Sequence, residues 1–198
     1  EAGEPRPIQN DGREADDLFL ISLIHFDRLL KPGGYLCCCC AGGGPNLSFS
    51  RWSLLMEKVM DFEQMVIWDK GSIGTGWRYR RSYEVVLVAR KRGGEVRWYD
   101  ESGNVENIIR PGDYGIRKLI PSKSQHPCEK PVELPLHFIK LHTKEGDMVL
   151  DCFAGSGSTG VACRRLNRKF IGIEIDDHWF NHMKDRLEAM VPGLFGYA

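Results

Sequence analysis

The segment DCFAGSGSTG, residues 151–160, contains glycines at the spacing of a nucleotide-binding turn. Gly155, Gly157 and Gly160 fit the pattern G-x-G-x-x-G, in which glycines allow a tight turn and a close approach to a bound nucleotide. A strand pattern precedes the segment and a helix pattern follows it. About 20 residues on, Glu174 lies at the end of the next strand, where a carboxylate can accept hydrogen bonds from ribose hydroxyls. The pattern predicts a nucleotide cofactor; the alternative is a turn that only packs a helix on a strand.

An acid and the chain order indicate which cofactor this is. Asp151 ends the first strand and Phe153 follows it. A carboxylate at that position suits a cationic, amine-bearing ligand better than a pyrophosphate. A dinucleotide would need a second mononucleotide half, and the residues after Asp176 are too few to supply it. We therefore expect S-adenosylmethionine (SAM), whose amino group and sulfonium are both cationic, and we reject an NAD-dependent dehydrogenase.

A second element with the residues of a binding site is HPCEKP, residues 126–131. Pro131 lies at a predicted helix start, where the unpaired N–H groups of a first turn can point at an anion. Lys130 adds a positive charge, so the two can hold the carboxylate of a methionine moiety. The alternative is an ordinary proline-rich helix entry with a solvated lysine.

Seven cysteines raise the question of a metal site or disulfides. Four of them, Cys37 to Cys40, are consecutive, and neighbouring side chains of a strand point to opposite faces, so they cannot converge on one tetrahedral ion. We interpret the run as a buried core strand in a protein with reduced thiols, and we expect no metal.

Strands alternate with helices along the chain, which predicts the α/β class with a doubly wound, mainly parallel sheet covered on both faces. The 198 residues are predicted to form a single domain, with residues 1–15 as a flexible start or a fragment boundary. Helices are predicted at 16–30, 48–61 and 130–143, strands at 35–41, 63–70 and 82–92, and irregular structure at 93–124. A strand, a helix, a strand and a helix then complete the chain.

The composition and the apolar pattern bear on two classes of partner, nucleic acid and membranes. Lys plus Arg (27) equal Asp plus Glu (27), so no overall basic charge indicates nucleic acid, although a local basic patch remains compatible with these totals. Neither a bilayer-spanning apolar run nor a signal peptide is visible. We expect a cytoplasmic protein without a membrane partner.

The order of these segments resembles a known enzyme family. LLKPGGYL, WDKGSIGTGWRYRRSYEVVLVARK, HPCEKP, DCFAGSGSTG and FIGIEID follow one another as in the permuted, beta-class, amino-directed DNA methyltransferases. The resemblance implies a Rossmann-like methyltransferase fold in which the catalytic half precedes the cofactor half, residues 126–190. It implies methyl transfer from SAM to adenine N6, or with lower preference to cytosine N4, in double-stranded DNA with the target base flipped out. It also allows a homodimer and a restriction endonuclease partner.

The resemblance assigns residues to the cofactor site but none to catalysis. The implied cofactor-binding residues are His126, Pro127, Lys130, Pro131, Asp151, Phe153, Ala154, Gly155, Ser156, Gly157, Thr159 and Glu174. Residues of about 92–125 occupy the place of the target-recognition region. The family's catalytic tetrapeptide contains Pro-Pro, which occurs nowhere in these residues, so no catalytic residue is assigned. The alternative is a catalytically silent relative that binds cofactor and DNA.

Basic and aromatic residues in the same family context predict a DNA-contacting surface. Arg78, Arg80 and Arg81 interleave with Trp77 and Tyr79 in the loop before SYEVVLVARK. Arginine on phosphates and aromatic rings near an extruded base are what a DNA methyltransferase requires. The predicted DNA-binding residues are Arg78, Arg80, Arg81, Arg117 and Lys118. For any one of them, the alternative is a solvated loop residue.

Overall fold

The computed structural model describes residues 14–42, 48–74, 78–116, 126 and 128–190. These residues belong to two compact units. The N-terminal unit contains the described residues up to 116, and the C-terminal unit contains those from 126 onward. Within the described ranges, no helix is long and apolar enough to cross a membrane.

The N-terminal unit is a four-stranded sheet with two helices on one of its faces. Strand β3 is antiparallel to both β1 and β2, and β2 is parallel to β4, which gives the order β1-β3-β2-β4. A short 3-10 turn, Asp113–Gly115, follows the last strand. The elements are α1 (Glu14–Leu29), β1 (Tyr35–Ala41), α2 (Ser48–Val59), β2 (Asp61–Asp69), β3 (Tyr83–Arg90) and β4 (Ile108–Ile109).

Helices α1 and α2 cover the sheet because their apolar side chains share one core with β3. Leu23 of α1, Met56 of α2 and Leu87 of β3 are completely buried in this core. The ring of Phe19 stacks on Trp52 with centroids 4.3 Å apart, which joins the two helices. The opposite face of the sheet is buried as well, since Val66, Trp68 and Val86 have at most 8% exposure.

The cysteine run forms the predicted strand, but only half of it is core. Cys40 is buried and Cys38 packs against the α1–α2 core, whereas Cys37 and Cys39 point to the other face and are exposed. Burial raises the pKa of the Cys40 thiol to about 12, which keeps it protonated and unreactive. The prediction of a fully buried strand was therefore wrong for one face of β1. All seven cysteines lie in the described ranges, and all are free thiols.

The C-terminal unit is a strand–helix–strand unit flanked by two further helices, as the sequence predicts. Strands β5 and β6 are parallel, with Asp151 opposite Gly172 at their carboxyl ends. The glycine turn connects β5 to α4. The elements are α3 (Glu133–His142), β5 (Met148–Asp151), α4 (Ser158–Arg165), β6 (Lys169–Gly172) and α5 (Asp177–Glu188).

The α/β class is confirmed, while the sheets differ from the prediction in two respects. Two of the four described strand pairs are antiparallel, so the sheet structure is mixed rather than mainly parallel. In the C-terminal unit, Val149 and Phe170 pack against α3 and α4, but on the other face Leu150 is 36% and Ile171 47% exposed. The helices α3 and α4 of the C-terminal unit thus lie on the same face of the β5–β6 pair.

Candidate functional site

Two carboxylates lie at the carboxyl ends of the parallel strands β5 and β6, the edge at which ligands bind in open α/β sheets. Asp151 ends β5, and Glu174 follows the end of β6 by two residues. One Asp151 oxygen accepts the N–H of Phe153 at 3.0 Å, and the other accepts the Thr159 hydroxyl at 2.6 Å. Thr159, predicted as a cofactor residue, therefore orients Asp151 through its hydroxyl.

Glu174 connects the glycine turn to the segment that leads into α5. Its two oxygens accept the N–H groups of Gly155 at 2.8 Å and Asp176 at 3.0 Å. Asp176 in turn caps α5 by accepting the N–H of His178 at 2.9 Å. A carboxylate has about four lone-pair positions, so these bonds leave acceptor capacity on both Glu174 and Asp151. Within the described ranges neither carboxylate forms a salt bridge, so each is able to accept further donors.

The glycines of the turn are required by packing inside the protein as well as by the turn itself. Gly155 and Gly157 have φ of +50° and +82°, in the left-handed region that other residues rarely adopt. A Cβ on Gly155 would lie 2.9 Å from Nε2 of His126, and one on Gly157 would lie 2.6 Å from Cγ of Met183. We expected the missing side chains to leave room for a cofactor; in this structure protein side chains occupy that room.

Gly160, the third glycine of the pattern, lies where α4 packs on β6. A Cβ there would lie 2.8 Å from Cε1 of Phe170 on β6 and 2.9 Å from Cδ1 of Leu187 on α5. Its absence lets α4 pack closely on the strand.

The HPCEKP element is attached to the glycine turn by its backbone. The Ser158 hydroxyl at the start of α4 donates to the Lys130 carbonyl at 2.7 Å. Lys130 is half-buried, and its ammonium donates to the Cys128 carbonyl at 3.2 Å. The two segments that the sequence singled out separately are therefore adjacent in the C-terminal unit.

The helix after this element begins three residues after the start of the predicted range 130–143. Helix α3 starts at Glu133, after Val132, rather than at Pro131. Its first turn contains the Glu133 carboxylate, which pairs with Arg165 at 3.2 Å. An acid of the chain itself therefore complements the positive end of α3. The anion-binding role predicted for this first turn loses its basis, and the Lys130 ammonium remains as the positive charge of the element.

His126 closes one side of the glycine turn as a neutral ring. Its Nδ1 accepts the N–H of Cys128 at 3.2 Å, so the neutral ring has its proton on Nε2, the nitrogen next to Gly155. The edge of the ring contacts Trp179 of α5 with centroids 4.4 Å apart. Burial lowers the pKa of His126 below its ordinary value, against the opposing charges of Glu174 and Glu129.

Arg186 of α5 is part of this arrangement, although no signal in the sequence identifies it. Its Nη1 donates to Oε1 of Glu129 at 2.9 Å and to the carbonyl of Ser156 at 3.0 Å. Glu129 belongs to the HPCEKP element and Ser156 to the glycine turn. A basic residue on an ordinary amphipathic helix does not identify its partner, which lies 57 positions away.

The remaining predicted cofactor residues differ in exposure. Phe153 is 60% exposed beside the turn, whereas Ala154 and Ser156 are buried in it. Ala154 donates its N–H to the Ile173 carbonyl at 3.0 Å, which fixes the turn to the end of β6. Pro131 is half-buried, and Pro127 lies outside the described residues.

The predicted DNA-binding arginines that are described lie on an exposed loop of the N-terminal unit. Arg78, Arg80 and Arg81 are all exposed, and Tyr79 between them is 96% exposed. The loop is held by its backbone, because Gly74 donates to the Arg81 carbonyl at 2.7 Å. Nε of Arg80 donates to the Gly74 carbonyl at 3.0 Å. The other predicted DNA-binding residues, Arg117 and Lys118, lie outside the described residues, as does Trp77.

Comparison with known families is consistent with this arrangement. Residues 11–185 match the N6/N4 methyltransferase family model, described as a DNA methylase. The chain belongs to the DNA methylase family. This match confirms the resemblance found in the sequence, and it includes the arginine loop, the HPCEKP element, the glycine turn and Glu174.

Individual DNA methylases match over parts of their length. The type II methyltransferase M2.DpnII of Streptococcus pneumoniae is 35% identical over 119 residues, which are 56% of this chain and 44% of the relative. M.HhaII of Haemophilus parahaemolyticus is 30% identical over 162 residues, 81% of this chain and 66% of the relative. The chain thus spans from 44% to 66% of these curated relatives.

A solved structure matches the fold of the chain. The crystal structure of the M1.HpyAVI–SAM complex has a TM-score of 0.70 and 28% sequence identity, and the match covers 85% of this chain and 82% of that one. The match confirms the predicted α/β methyltransferase fold.

Proposed function

We propose that the C-terminal unit binds SAM and that the protein transfers its methyl group to an exocyclic amino group of DNA. The observation that carries the proposal is the pair of carboxylates, Asp151 and Glu174, at the carboxyl ends of β5 and β6. Both are fixed by hydrogen bonds to the glycine turn and both retain acceptor capacity. Membership of the DNA methylase family and the match to a SAM complex support the same cofactor.

The residues of the turn fit the chemistry of SAM. Glu174 can accept hydrogen bonds from the ribose hydroxyls of SAM, and the negative charge of Asp151 can pair with the cationic amino group of SAM. Lys130 provides the one positive charge of the HPCEKP element and can pair with the methionine carboxylate. From the resemblance in the sequence, we extend the proposed cofactor contacts to the set His126, Pro127, Lys130, Pro131, Asp151, Phe153, Ala154, Gly155, Ser156, Gly157, Thr159 and Glu174.

The contribution of these residues to the reaction is binding and orientation. SAM supplies an activated methyl group on a cationic sulfur. Thr159 and the Phe153 N–H hold the Asp151 carboxylate in place, so little reorganisation is needed when an amine binds. Glu174 holds the turn closed through Gly155. No residue is assigned to activation of the target amine, because the 198 residues contain no Pro-Pro tetrapeptide.

On the DNA side we propose adenine N6 as the acceptor, with cytosine N4 second, in a base flipped out of the duplex. The exposed arginines at 78, 80 and 81 support contact with phosphates, and the exposed ring of Tyr79 is suited to stacking. Arg117 and Lys118 are included in the proposed DNA surface from the sequence. A restriction endonuclease partner belongs to the same proposal, since the named relatives are type II methyltransferases. A homodimer is included from the resemblance in the sequence alone.

The experiment is transfer of a tritiated methyl group from SAM to unmethylated DNA, followed by digestion to nucleosides. Label in N6-methyladenine is expected, and label in N4-methylcytosine would select the second base. DNA that is already methylated by a mixture of N6 and N4 methyltransferases serves as the control, because its acceptor sites are blocked. Label in RNA or protein, with none in DNA, would contradict the proposal.

A second candidate function is a catalytically silent relative that binds SAM and DNA. The absence of Pro-Pro from the 198 residues favours it. It predicts saturable SAM binding together with no transfer to any DNA. Restoration of transfer by a chain that includes a Pro-Pro tetrapeptide would contradict it.

A further inference from the structure

One side chain of α5 holds both walls of the proposed SAM site. The first wall is the glycine turn, whose Ser156 carbonyl accepts from Nη1 of Arg186 at 3.0 Å. The second wall is the HPCEKP element, whose Glu129 carboxylate accepts from the same nitrogen at 2.9 Å. The Ser156 hydroxyl lies 3.5 Å from it as well. The two walls thus share a single donor.

The cluster formed by Arg186, Glu129 and Ser156 is largely buried, which strengthens its hydrogen bonds. The Glu129 side chain is 11% exposed and that of Arg186 28% exposed, whereas the Lys184–Glu188 pair on the same helix is more than half exposed. Hydrogen bonds that involve charged groups are stronger than neutral ones, and screening by water weakens them less when they are buried. Ser156 itself is 3% exposed, so its carbonyl is in the interior of the turn.

Neither Arg186 nor Glu129 belongs to the residues that the sequence assigns to the cofactor. We infer that Arg186 and Glu129 are positioning residues for SAM binding, which set the separation between the glycine turn and the HPCEKP element. This inference rests on the proposed function of the C-terminal unit. Loss of the ion pair lets the Glu129 part of the HPCEKP element move relative to the turn, while the Ser158–Lys130 hydrogen bond and the packing of His126 on Gly155 remain. Lys130 and Glu174 then no longer face the ligand together.

The matched control is an ion pair in the same unit that does not touch the turn. Arg165 of α4 pairs with Glu133 of α3 at 3.2 Å, and the two side chains are 37% and 35% exposed. Arg165→Gln removes an arginine and a helix-to-helix salt bridge, and it leaves both walls in place.

The test is calorimetric titration of the 198-residue chain with SAM, well below its unfolding temperature. Arg186→Gln and Glu129→Gln are each expected to weaken binding about tenfold, since each removes a charge-assisted hydrogen bond. The double variant is expected to lose little further SAM affinity, because both single substitutions already break the same Arg186–Glu129 ion pair. Arg165→Gln is expected to remain within about twofold of the unaltered chain.

Arg186→Lys separates positioning from a general effect on folding. One nitrogen makes all of the Arg186 hydrogen bonds described above, so an ammonium is expected to restore most of the affinity that Arg186→Gln removes. Thermal unfolding of each variant gives the effect on stability alone.

Three outcomes would overturn the inference. Equal SAM affinity of Arg186→Gln and Arg165→Gln would mean that Arg186 only stabilises the unit. Additive losses in the double variant would mean that Arg186 and Glu129 act separately. No saturable binding by the unaltered chain would overturn the proposed function itself, and the inference with it; that result is distinguishable because it appears without any substitution.

Discussion

At the scale of single residues, the side chains of the candidate site hold the backbone of the site together. Asp151 and Glu174 each accept a backbone N–H of the turn, and Thr159 orients Asp151. The sequence predicted the positions of both acids, because an acid at a strand end is visible in a strand–turn–helix pattern. It could not predict that His126 and Met183 lie against the turn glycines, because that packing joins segments distant in the chain.

The requirement for glycine at position 157 has two causes that a matched substitution separates. Gly146 and Gly157 have φ of +80° and +82° in the same unit, but a Cβ on Gly146 would meet nothing within 4 Å. Gly146→Ala measures backbone strain alone and should lower the free energy of unfolding by about 1 kcal/mol. Gly157→Ala adds the clash with Met183 and should lower it by about 2–4 kcal/mol in urea unfolding. Equal losses would mean that Met183 moves away freely and that the close packing is unimportant.

At the scale of elements, the sequence predicted the order of the longer strands and helices but not their pairing. It also missed the short strand β4, Ile108–Ile109, which lies in the range predicted to be irregular. The α1, α2 and β1 to β3 segments follow the predicted ranges to within a few residues, because each has a clear apolar period between turn residues. Antiparallel pairing of β3 with two neighbours depends on interactions across the sheet, which a periodic pattern does not specify.

Two arginines near the end of β3 make contacts that could not be predicted from the sequence. Arg92 follows β3 and donates to the carbonyls of Glu57 at 2.9 Å and Met60 at 3.1 Å, which satisfies the end of α2. Arg90 beside it pairs with Asp61 at 2.8 Å. A charged residue at or after the end of a strand is typical of any surface, so only the fold reveals that Arg92 fastens α2 to the sheet and that Arg90 joins β3 to β2.

The HPCEKP element should make the stability of the chain depend on pH through His126. Because burial lowers the pKa of His126, the unfolded chain binds this proton more readily than the folded chain does. The stabilisation is therefore complete above the ordinary pKa of about 6.5 and is lost as the pH falls below it. Urea unfolding between about pH 7 and about pH 5 should show a shallower loss of stability in His126→Gln than in the unaltered chain.

A His126→Gln profile that runs parallel to that of the unaltered chain would show that His126 takes up its proton equally in the folded and unfolded chains.

At the scale of the whole molecule, the basic and acidic residues are equal in number, but the basic residues are unevenly distributed. The 27 basic and 27 acidic residues cancel, yet Arg78, Arg80 and Arg81 lie together on one exposed loop. Binding to DNA depends on the local arrangement of charge, because each neutralised phosphate releases counterions. A balanced composition is thus compatible with the proposed DNA surface.

Replacement of these three arginines by glutamine should weaken DNA binding and reduce its salt dependence. The slope of log K against log salt should fall by up to about 3, close to one for each phosphate that is no longer neutralised. Fluorescence anisotropy with labelled duplex DNA at several salt concentrations measures this slope. Replacement of Arg165, Lys169 and Lys184 in the C-terminal unit removes the same charge and serves as the control. Equal slopes for the two triple variants would remove the loop from the interface.

The proposal that Glu174 and the glycine turn form a SAM site is tested by calorimetric titration of the chain with SAM and with NAD. We predict saturable binding of one SAM and no binding of NAD. Glu174→Ala should weaken SAM binding by about 1–3 kcal/mol, whereas Glu188→Gln on the exposed side of α5 should leave it unchanged. Binding of NAD alone, or equal SAM affinity of Glu174→Ala and the unaltered chain, would contradict the claim.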